Sequence, residues 1–412
     1  MDLFYPYRTQ PPLIHSVLEE RSEDGIRVTE LLFHSMEGEF DGEGIAPSLV
    51  FAVFAEPEDA PAGTLPGMLI CHGGKGRAEA AKAVGWARQG YAAIAPELPG
   101  WADPGQMRSA SRYRGQPYKR NRFTTAPALT SCGVYDSVAA ALGAFQLLRS
   151  RCATDPARMG ITGISWGGYL ATLLCGYLGE QVQAGLALFG CGHYEAGTVF
   201  AAELQERPEE ERRQWLKHFD AGGHISGMSA TFLMLPATND SFFYPPAAET
   251  TFAGIGSRHK RLCYGPGTDH NFGLPGGSME EGGPFYLALE PAYFRIALAG
   301  KTERLPSVEA VPGSGGAWII RWNAGCAALK EVWAYGSRED GRIWPERTWI
   351  RLEPGGQTEA EGFGEARFAP LCREEDGVWF GGATFLLNEE SGGSSFFHVT
   401  TTMQAAKNVE RE

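Results

Sequence analysis

In RMGITGISWGGYLATLL, Arg158 to Leu174, a serine is hemmed in by Gly163, Gly167 and Gly168 between a β-branched run and a long apolar one. A buried strand that passes at once into a helix needs a very tight turn, which small flanking residues permit. Ser165 is left at its apex. A hydroxyl held there is exposed on a strained backbone beside the positive end of a helix, which suits attack on a carbonyl and stabilisation of the resulting oxyanion. Serine alone is a weak nucleophile and needs a base to take its proton and an acid to hold that base. In a strand–turn–helix setting the partners are expected in the chain order Ser, Asp, His, each on a loop after a later strand. TFLMLPATNDSFFYP supplies Asp240 and RLCYGPGTDHNFG supplies His270, each just after a predicted strand. Upstream, MLICHGGKG offers His72, Gly73, Gly74 and Lys75, where backbone N–H groups free of side-chain bulk face a substrate carbonyl oxygen.

Other residues fall beside the same strand ends, and for them two readings stay open. Asp269, or an acid of the insertion at about 193–229, competes with Asp240 for the place beside the histidine. Trp101, Trp166, Tyr244 and Phe272 are either an aromatic substrate wall or core packing. His193, in FGCGHY, is either a substrate contact or a packing residue, and His72 is read as a shaper of its loop. RYRGQPYKRNRF, Arg112 to Phe123, interleaves basic and aromatic residues. It is either an anion- or sugar-binding segment or a solvated loop whose arginines pair with local carboxylates.

The elements that must position these groups show in the periodicity. IRVTELLFH and SLVFAVFA, separated by a Gly-rich turn region, predict an antiparallel pair. After them short apolar strands alternate with helices: GMLIC then 77–89, YAAIA then 134–149, RMGIT then 166–178, with AGLALF, TFLMLP and RLCY continuing the series. That alternation predicts a mostly parallel sheet covered on both faces, with ligands at the carboxyl ends of its strands. Two insertions, about 99–132 and 193–229, follow predicted strands and are placed to roof a site. Pro208 followed by three glutamates reads as a helix start. From Ala317 onward AWIIRWNA, LKEVWAY, TWIRLEP, EARFAP, VWFGGATFLL and SSFFHVTTT, separated by turn residues, predict a β-sandwich of about 100 residues. Trp318, Trp322, Trp333, Trp349, Trp379 and Phe396 are more large aromatics than one small interior needs, so some are expected to face a partner surface. The expected organisation is an N-terminal extension, 1–25, a catalytic domain, 26–303, and a C-terminal sandwich, 304–412.

Composition narrows the function classes. At 412 residues the chain exceeds one ordinary core, which agrees with a large domain plus a smaller one. Its 49 acidic against 36 basic residues give a net charge of −13, which disfavours nucleic acid as a partner. No apolar run approaches the roughly 20 residues of a spanning helix, so no membrane partner is expected. The opening MDLFYPYRTQPPLIHS lacks the features of a signal peptide, so a cytoplasmic location is expected. The eight cysteines show no metal-like CxxC spacing; Cys71, Cys175 and Cys263 lie in apolar runs and read as buried thiols.

DPARMGITGISWGGY, the HGG at 72–74, ATNDSF around Asp240 and GTDHNF around His270 together resemble the α/β-hydrolase superfamily. The resemblance is to the branch of dienelactone hydrolases, acetyl xylan esterases and prolyl oligopeptidase catalytic domains, and it covers about 26–303. It implies an α/β-hydrolase fold with Ser165 as nucleophile, His270 as base and Asp240 as orienting acid. It further implies an oxyanion hole from the Trp166 amide and one at or near Gly74, with Gly73, Lys75, Trp101, His193 and Tyr244 lining the substrate. No metal or organic cofactor is implied. The expected activity is that of a serine carboxylesterase on small acyl esters, such as an acetylated carbohydrate or small molecule. The alternatives are a serine peptidase or amidase, for which the long N-terminal propeller is missing, and a non-enzymatic carbohydrate-binding protein. Whether the chain forms a homo-oligomer is left open.

Overall fold

The computed structural model describes residues 3–39, 45–118, 121–271, 284–338, 343–369, 377–388 and 394–405. The chain divides into two compact units: 1–196, 200–230 and 254–258 form the first, and 197–199, 231–253 and 259–412 the second.

In the first unit the strands are β1 (Ile14–Glu23), β2 (Ile26–Glu39), β3 (Ile45–Pro57), β4 (Leu65–Cys71), β5 (Ala92–Pro96), β6 (Thr154–Ile164) and β7 (Ala184–Leu188). They lie in the order β1-β2-β3-β5-β4-β6-β7. β1, β2, β3 and β5 pair antiparallel, and β5, β4, β6 and β7 pair parallel. β5 and β7 are buried along their whole length, which is why AAIAP and AGLAL read as unbroken apolar runs instead of alternating ones. Helices Ala80–Ala87, Gly133–Arg149 and Trp166–Leu178 pack on these strands. Apart from Gly133–Arg149, which begins one residue early, and Ala80–Ala87, which is shorter at both ends, they stand where the apolar periodicity places them.

In the second unit β8 (Thr231–Leu235) and β9 (Lys260–Leu262) pair parallel. The remaining strands are β10 (Ser307–Pro312), β11 (Trp318–Asn323), β12 (Ala328–Arg338), β13 (Ile350–Leu352), β14 (Gly356–Ala360), β15 (Phe363–Phe368), β16 (Gly377–Asn388), β17 (Ser394–Thr400) and β18 (Gln404–Ala405), which pairs with β16. β17 joins β9 through Leu262 opposite Thr400, and the sheet continues antiparallel through β16, β12 and β13. A separate antiparallel sheet runs β10-β11-β15-β14. The two sheets face each other: Trp318 of β11 meets Trp379 of β16 at 4.5 Å between ring centroids, and Ile320 fills the space beside Gly381.

The aromatics of this sandwich pack inward more fully than their number suggests. Trp318, Trp322, Trp333 and Trp379 are all buried, and of the six only Phe396 is half exposed. Room for the rings comes from small partners: Trp322 lies against Gly364 and Trp333 against Gly382, where a Cβ would stand 2.2 Å and 2.5 Å from the indoles. Among the described residues no helix is long and apolar enough to cross a membrane, and no group of three His, Cys, Asp or Glu is arranged to hold a metal.

Candidate active site

β6 ends at Ile164 and the helix Trp166–Leu178 begins two residues later, so Ser165 makes the whole connection. Its backbone sits at φ 57 and ψ −120, a sparsely populated region for a residue with a side chain. Its surroundings enforce this. The Ser165 N–H donates to the Leu188 carbonyl at the end of β7 (2.8 Å), and the Ser165 carbonyl accepts from Tyr169 N–H (2.9 Å). A Cβ on Gly163 would lie 2.1 Å from the Gly167 oxygen, and one on Gly167 would lie 2.1 Å from the Cys71 oxygen. Strand, helix and neighbouring strand end therefore meet at a distance that only glycine allows. The first amides of the helix, Trp166 N–H included, have no acceptor one turn earlier in their own helix and face the end that carries Ser165.

The loop after β4 lies directly against this turn. A Cβ on Gly73 would stand 3.4 Å from the Ser165 Cβ, and Gly74 and Lys75 are exposed. His72 holds the loop in place. Its Nε2 accepts from Leu98 N–H (3.0 Å), so the proton is assigned to Nδ1, which donates to the Gly73 carbonyl (2.7 Å). Burial pushes this imidazole down to about 4, so it is neutral in ordinary buffers. Lys75, in the left-handed region at φ 59, donates its amide to Trp101 O (2.7 Å), and Asp103 N–H returns a bond to Gly76 O (3.0 Å). The loop is thus laced to the segment that follows β5. Trp101 belongs to that segment; it is 1% exposed and stacks on Trp166 at 3.9 Å, behind the turn.

Two arginines of the basic-aromatic segment are paired with local carboxylates. Arg112 bonds Asp136 and the Thr130 carbonyl, and Arg122 bonds Glu203 while lying over the Phe200 ring at 4.7 Å. Lys119 and Arg120 lie outside the described residues. Arg122 also ties the two insertions together, because its carbonyl accepts from Trp215 Nε1 (2.9 Å), and Thr125 N–H donates to Glu211 (2.9 Å). Glu209–His218 is the helix that Pro208 starts. His193, at φ 52, has its amide bound by Asp220 (2.6 Å) and its ring against Gly222, within reach of Gly254.

In the second unit Asp240 follows β8 and His270 follows β9. Asp240 is fully buried, and its Oδ1 accepts from Phe242 N–H (2.7 Å) and Phe243 N–H (2.8 Å). Both its oxygens lie at hydrogen-bond distance from His270 Nδ1, at 3.0 and 2.9 Å. A carboxylate accepts from the ring nitrogen that carries the proton, so this contact orients the imidazole through Nδ1. Asp240, and not Asp269, therefore holds the histidine; Asp269 caps the Asn271 amide. The two loops are zipped together: Thr238 N–H to Gly265 O (3.1 Å), Asn239 N–H to Thr268 O (2.9 Å) and Gly267 N–H to Thr238 Oγ1 (2.8 Å). Asn239 Nδ2 donates to the carbonyls of Pro345 (3.0 Å) and Arg347 (2.7 Å). Tyr244 is tied by its amide to Gly197 O, and burial, then Asp240, raise its phenol above the usual value. Phe272 lies outside the described residues. Thr238 and Asn239 escaped the sequence reading, although both sit beside the quoted Asp240.

A model of the dienelactone hydrolase family matches residues 50–272. Among solved structures, an acetyl xylan esterase from Paenibacillus sp. R4 is 18% identical, with 72% of this chain and 92% of that one covered and a TM-score of 0.54. Acetyl xylan esterase 1 from Thermoanaerobacterium sp. JW/SL YS485 is 15% identical, with 71% and 91% covered and a TM-score of 0.51. Both likenesses are likenesses of fold. Comparison with the curated proteins returned no match.

Proposed function

The chain belongs to the dienelactone hydrolase family, and from that premise we propose that it is a serine carboxylesterase working through an acyl-enzyme. The observation that carries this reading is Ser165 itself, strained at φ 57 between a strand end and a helix start. The Asp240–His270 pair supports it by supplying an oriented base.

In the proposed cycle Ser165 Oγ attacks the ester carbonyl while His270 Nε2 takes its proton. The negative oxygen of the tetrahedral intermediate is held by the Trp166 amide and one at Gly74. Collapse breaks the bond to the alcohol, which leaves with the proton from His270. Water, deprotonated by His270, then attacks the acyl-enzyme; the acid departs and Ser165 recovers its proton. Asp240 keeps the imidazole in one tautomer and stabilises its cation, without taking a proton itself. Gly73 and Lys75 are proposed to line the acyl site, with Trp101 backing Trp166; His193 and Tyr244 are the further substrate contacts to be tested.

The substrate is proposed to be a small acyl ester, and acetyl groups on a carbohydrate come first because the structural relatives above are acetyl xylan esterases. A fluorophosphonate probe followed by peptide mass spectrometry should place one adduct, on Ser165. A label on another residue of active protein refutes the assignment. Nitrophenyl esters of graded acyl length, run beside acetylated sugars and aminoacyl amides, should show short esters turned over well ahead of amides; amide turnover equal to the best ester would make the protein a peptidase or amidase instead.

A further inference from the structure

A cavity of about 440 Å³ opens in the first unit between β2 and β3, the start of the helix Ala80–Ala87 and residues 106–108 of the first insertion. That is ample for a small organic molecule. None of the residues given a part in the catalytic cycle lines it. The carboxylates on its wall are already engaged. Glu97, buried just after β5, accepts from Arg108 N–H (3.0 Å to each oxygen), Ser109 N–H (2.8 Å) and Ser109 Oγ (2.6 Å). Glu30 is shared between Arg108 Nη1 (2.7 Å) and Arg21 Nη1 (3.4 Å), and Glu79 pairs with Lys82 (3.4 Å). The arginines keep capacity in hand. Arg77 donates from Nη1 to the neutral oxygen of Gln106 (3.1 Å) and, among the described residues, has no carboxylate partner. The Arg108 guanidinium lies over the Phe51 ring at 3.8 Å, and the ion pair with Glu30 occupies only its Nη1.

We propose that this cavity binds a small aromatic carboxylate, with the carboxylate on Arg77 and the ring against Arg108. A carboxylate matches the fork of a guanidinium with two parallel N–H···O bonds, and a flat ring stacks on a guanidinium plane. An aliphatic acid uses only the first contact, and an aromatic cation meets Arg77 as a like charge. The site is separate from Ser165 and does not depend on the esterase reading. It does bear on the loop after β4. Arg77 follows Gly76, whose carbonyl accepts from Asp103 N–H (3.0 Å), so a ligand held by Arg77 and Arg108 bridges the same two stretches of chain that this bond joins.

The test uses the full chain carrying Ser165→Ala, with benzoate, cyclohexanecarboxylate and benzamidine as probes in titration calorimetry. Benzoate should bind at one site per chain, and each of the other two at least about tenfold more weakly. Arg77→Gln alters an exposed side chain and should keep the unfolding temperature while weakening benzoate at least about tenfold, the worth of one charge-assisted hydrogen bond. Arg108→Lys keeps a cation beside Glu30 but not the plane, so it should erase the preference for benzoate over cyclohexanecarboxylate. In the unaltered chain, benzoate should slow phenylglyoxal labelling of Arg77, read by peptide mass spectrometry, and leave that of the exposed Arg213 unchanged. Absence of saturation at millimolar benzoate overturns the proposal, as does benzamidine binding as tightly as benzoate. Undiminished affinity in Arg77→Gln, or labelling of Arg77 that benzoate does not slow, also overturns it, since the ligand then sits elsewhere.

Discussion

Ser165 is held in its conformation by its backbone surroundings, through the Leu188 carbonyl, the Tyr169 amide and the glycines at 163 and 167. Ser165→Ala should accordingly fold with the native unfolding temperature while losing turnover by about 10⁴-fold or more, and His270→Ala should lose a similar factor. The double variant should be little worse than either single one, because a nucleophile without its base and a base without its nucleophile fail in the same step. Steady-state rates of the three proteins check this; multiplied losses would mean that the two residues act independently. Asp240→Asn should cost about 10⁴-fold in kcat, since an amide at that place would favour the wrong imidazole tautomer. Near-normal activity in that variant would pass the acid role to another carboxylate.

At the scale of elements, His72 is the tie between the loop after β4 and the segment after β5, and it works only as a neutral ring. Its proton affinity is about 4 in the fold and 6.5 for a free imidazole. Its contribution to stability is therefore complete above pH 6.5 and is lost as pH falls through 6.5 toward 4, in total about 3 kcal/mol for a group this buried. Denaturant unfolding of the protein and of His72→Gln, compared from pH 7 to 4.5, should show the difference between them shrinking as pH falls; a constant difference would remove the imidazole from the account. This tie was partly legible: HGG between a strand and a Gly-rich loop marks a shaped turn, but its partner Leu98 lies across a helix and a strand. Legibility follows burial. Trp166–Leu178 is visible in the sequence because it is buried nearly throughout, and β5 and β7 because all five residues of each are. β1 was invisible: Leu13, Ile14, Val17 and Leu18 are exposed near its start and its burial follows no period of two, so no one-sided pattern marks it. β14 is exposed at every residue and escaped for the same reason.

At the scale of the whole chain, the second unit combines β9, the strand before His270, and the C-terminal strands in one fold. β17 pairs with β9, and Tyr264 N–H donates to Thr400 Oγ1 (3.1 Å) two residues after β9 ends. Arg261 donates to the carbonyls of Pro306 (2.6 Å) and Leu305 (3.3 Å). Partly buried Glu249 accepts from Tyr264 Oη and from Met403 N–H, both at 2.9 Å. Asn239, the neighbour of Asp240, is anchored on the carbonyls of 345 and 347. Removing residues 304–412 would strip β9 of a strand partner and break these hydrogen bonds, each worth on the order of 1 kcal/mol. No residue of that segment is proposed to touch substrate, so the role we propose for it is to keep the Asp240 and His270 loops in register. A protein of residues 1–303 should be poorly soluble or unfold well below the full chain, with ester turnover lost in proportion. In the full chain, Asn239→Leu should lower kcat with a smaller loss of stability, because it cuts the anchor nearest the acid and the bond from Thr238 Oγ1 while leaving the strand pairing intact. Thermal unfolding and nitrophenyl acetate rates of both proteins decide the matter. A 1–303 protein as stable and as active on small esters as the full chain, yet weaker in binding oligosaccharides, would make the C-terminal sandwich a carbohydrate-binding module instead of a support for the catalytic loops.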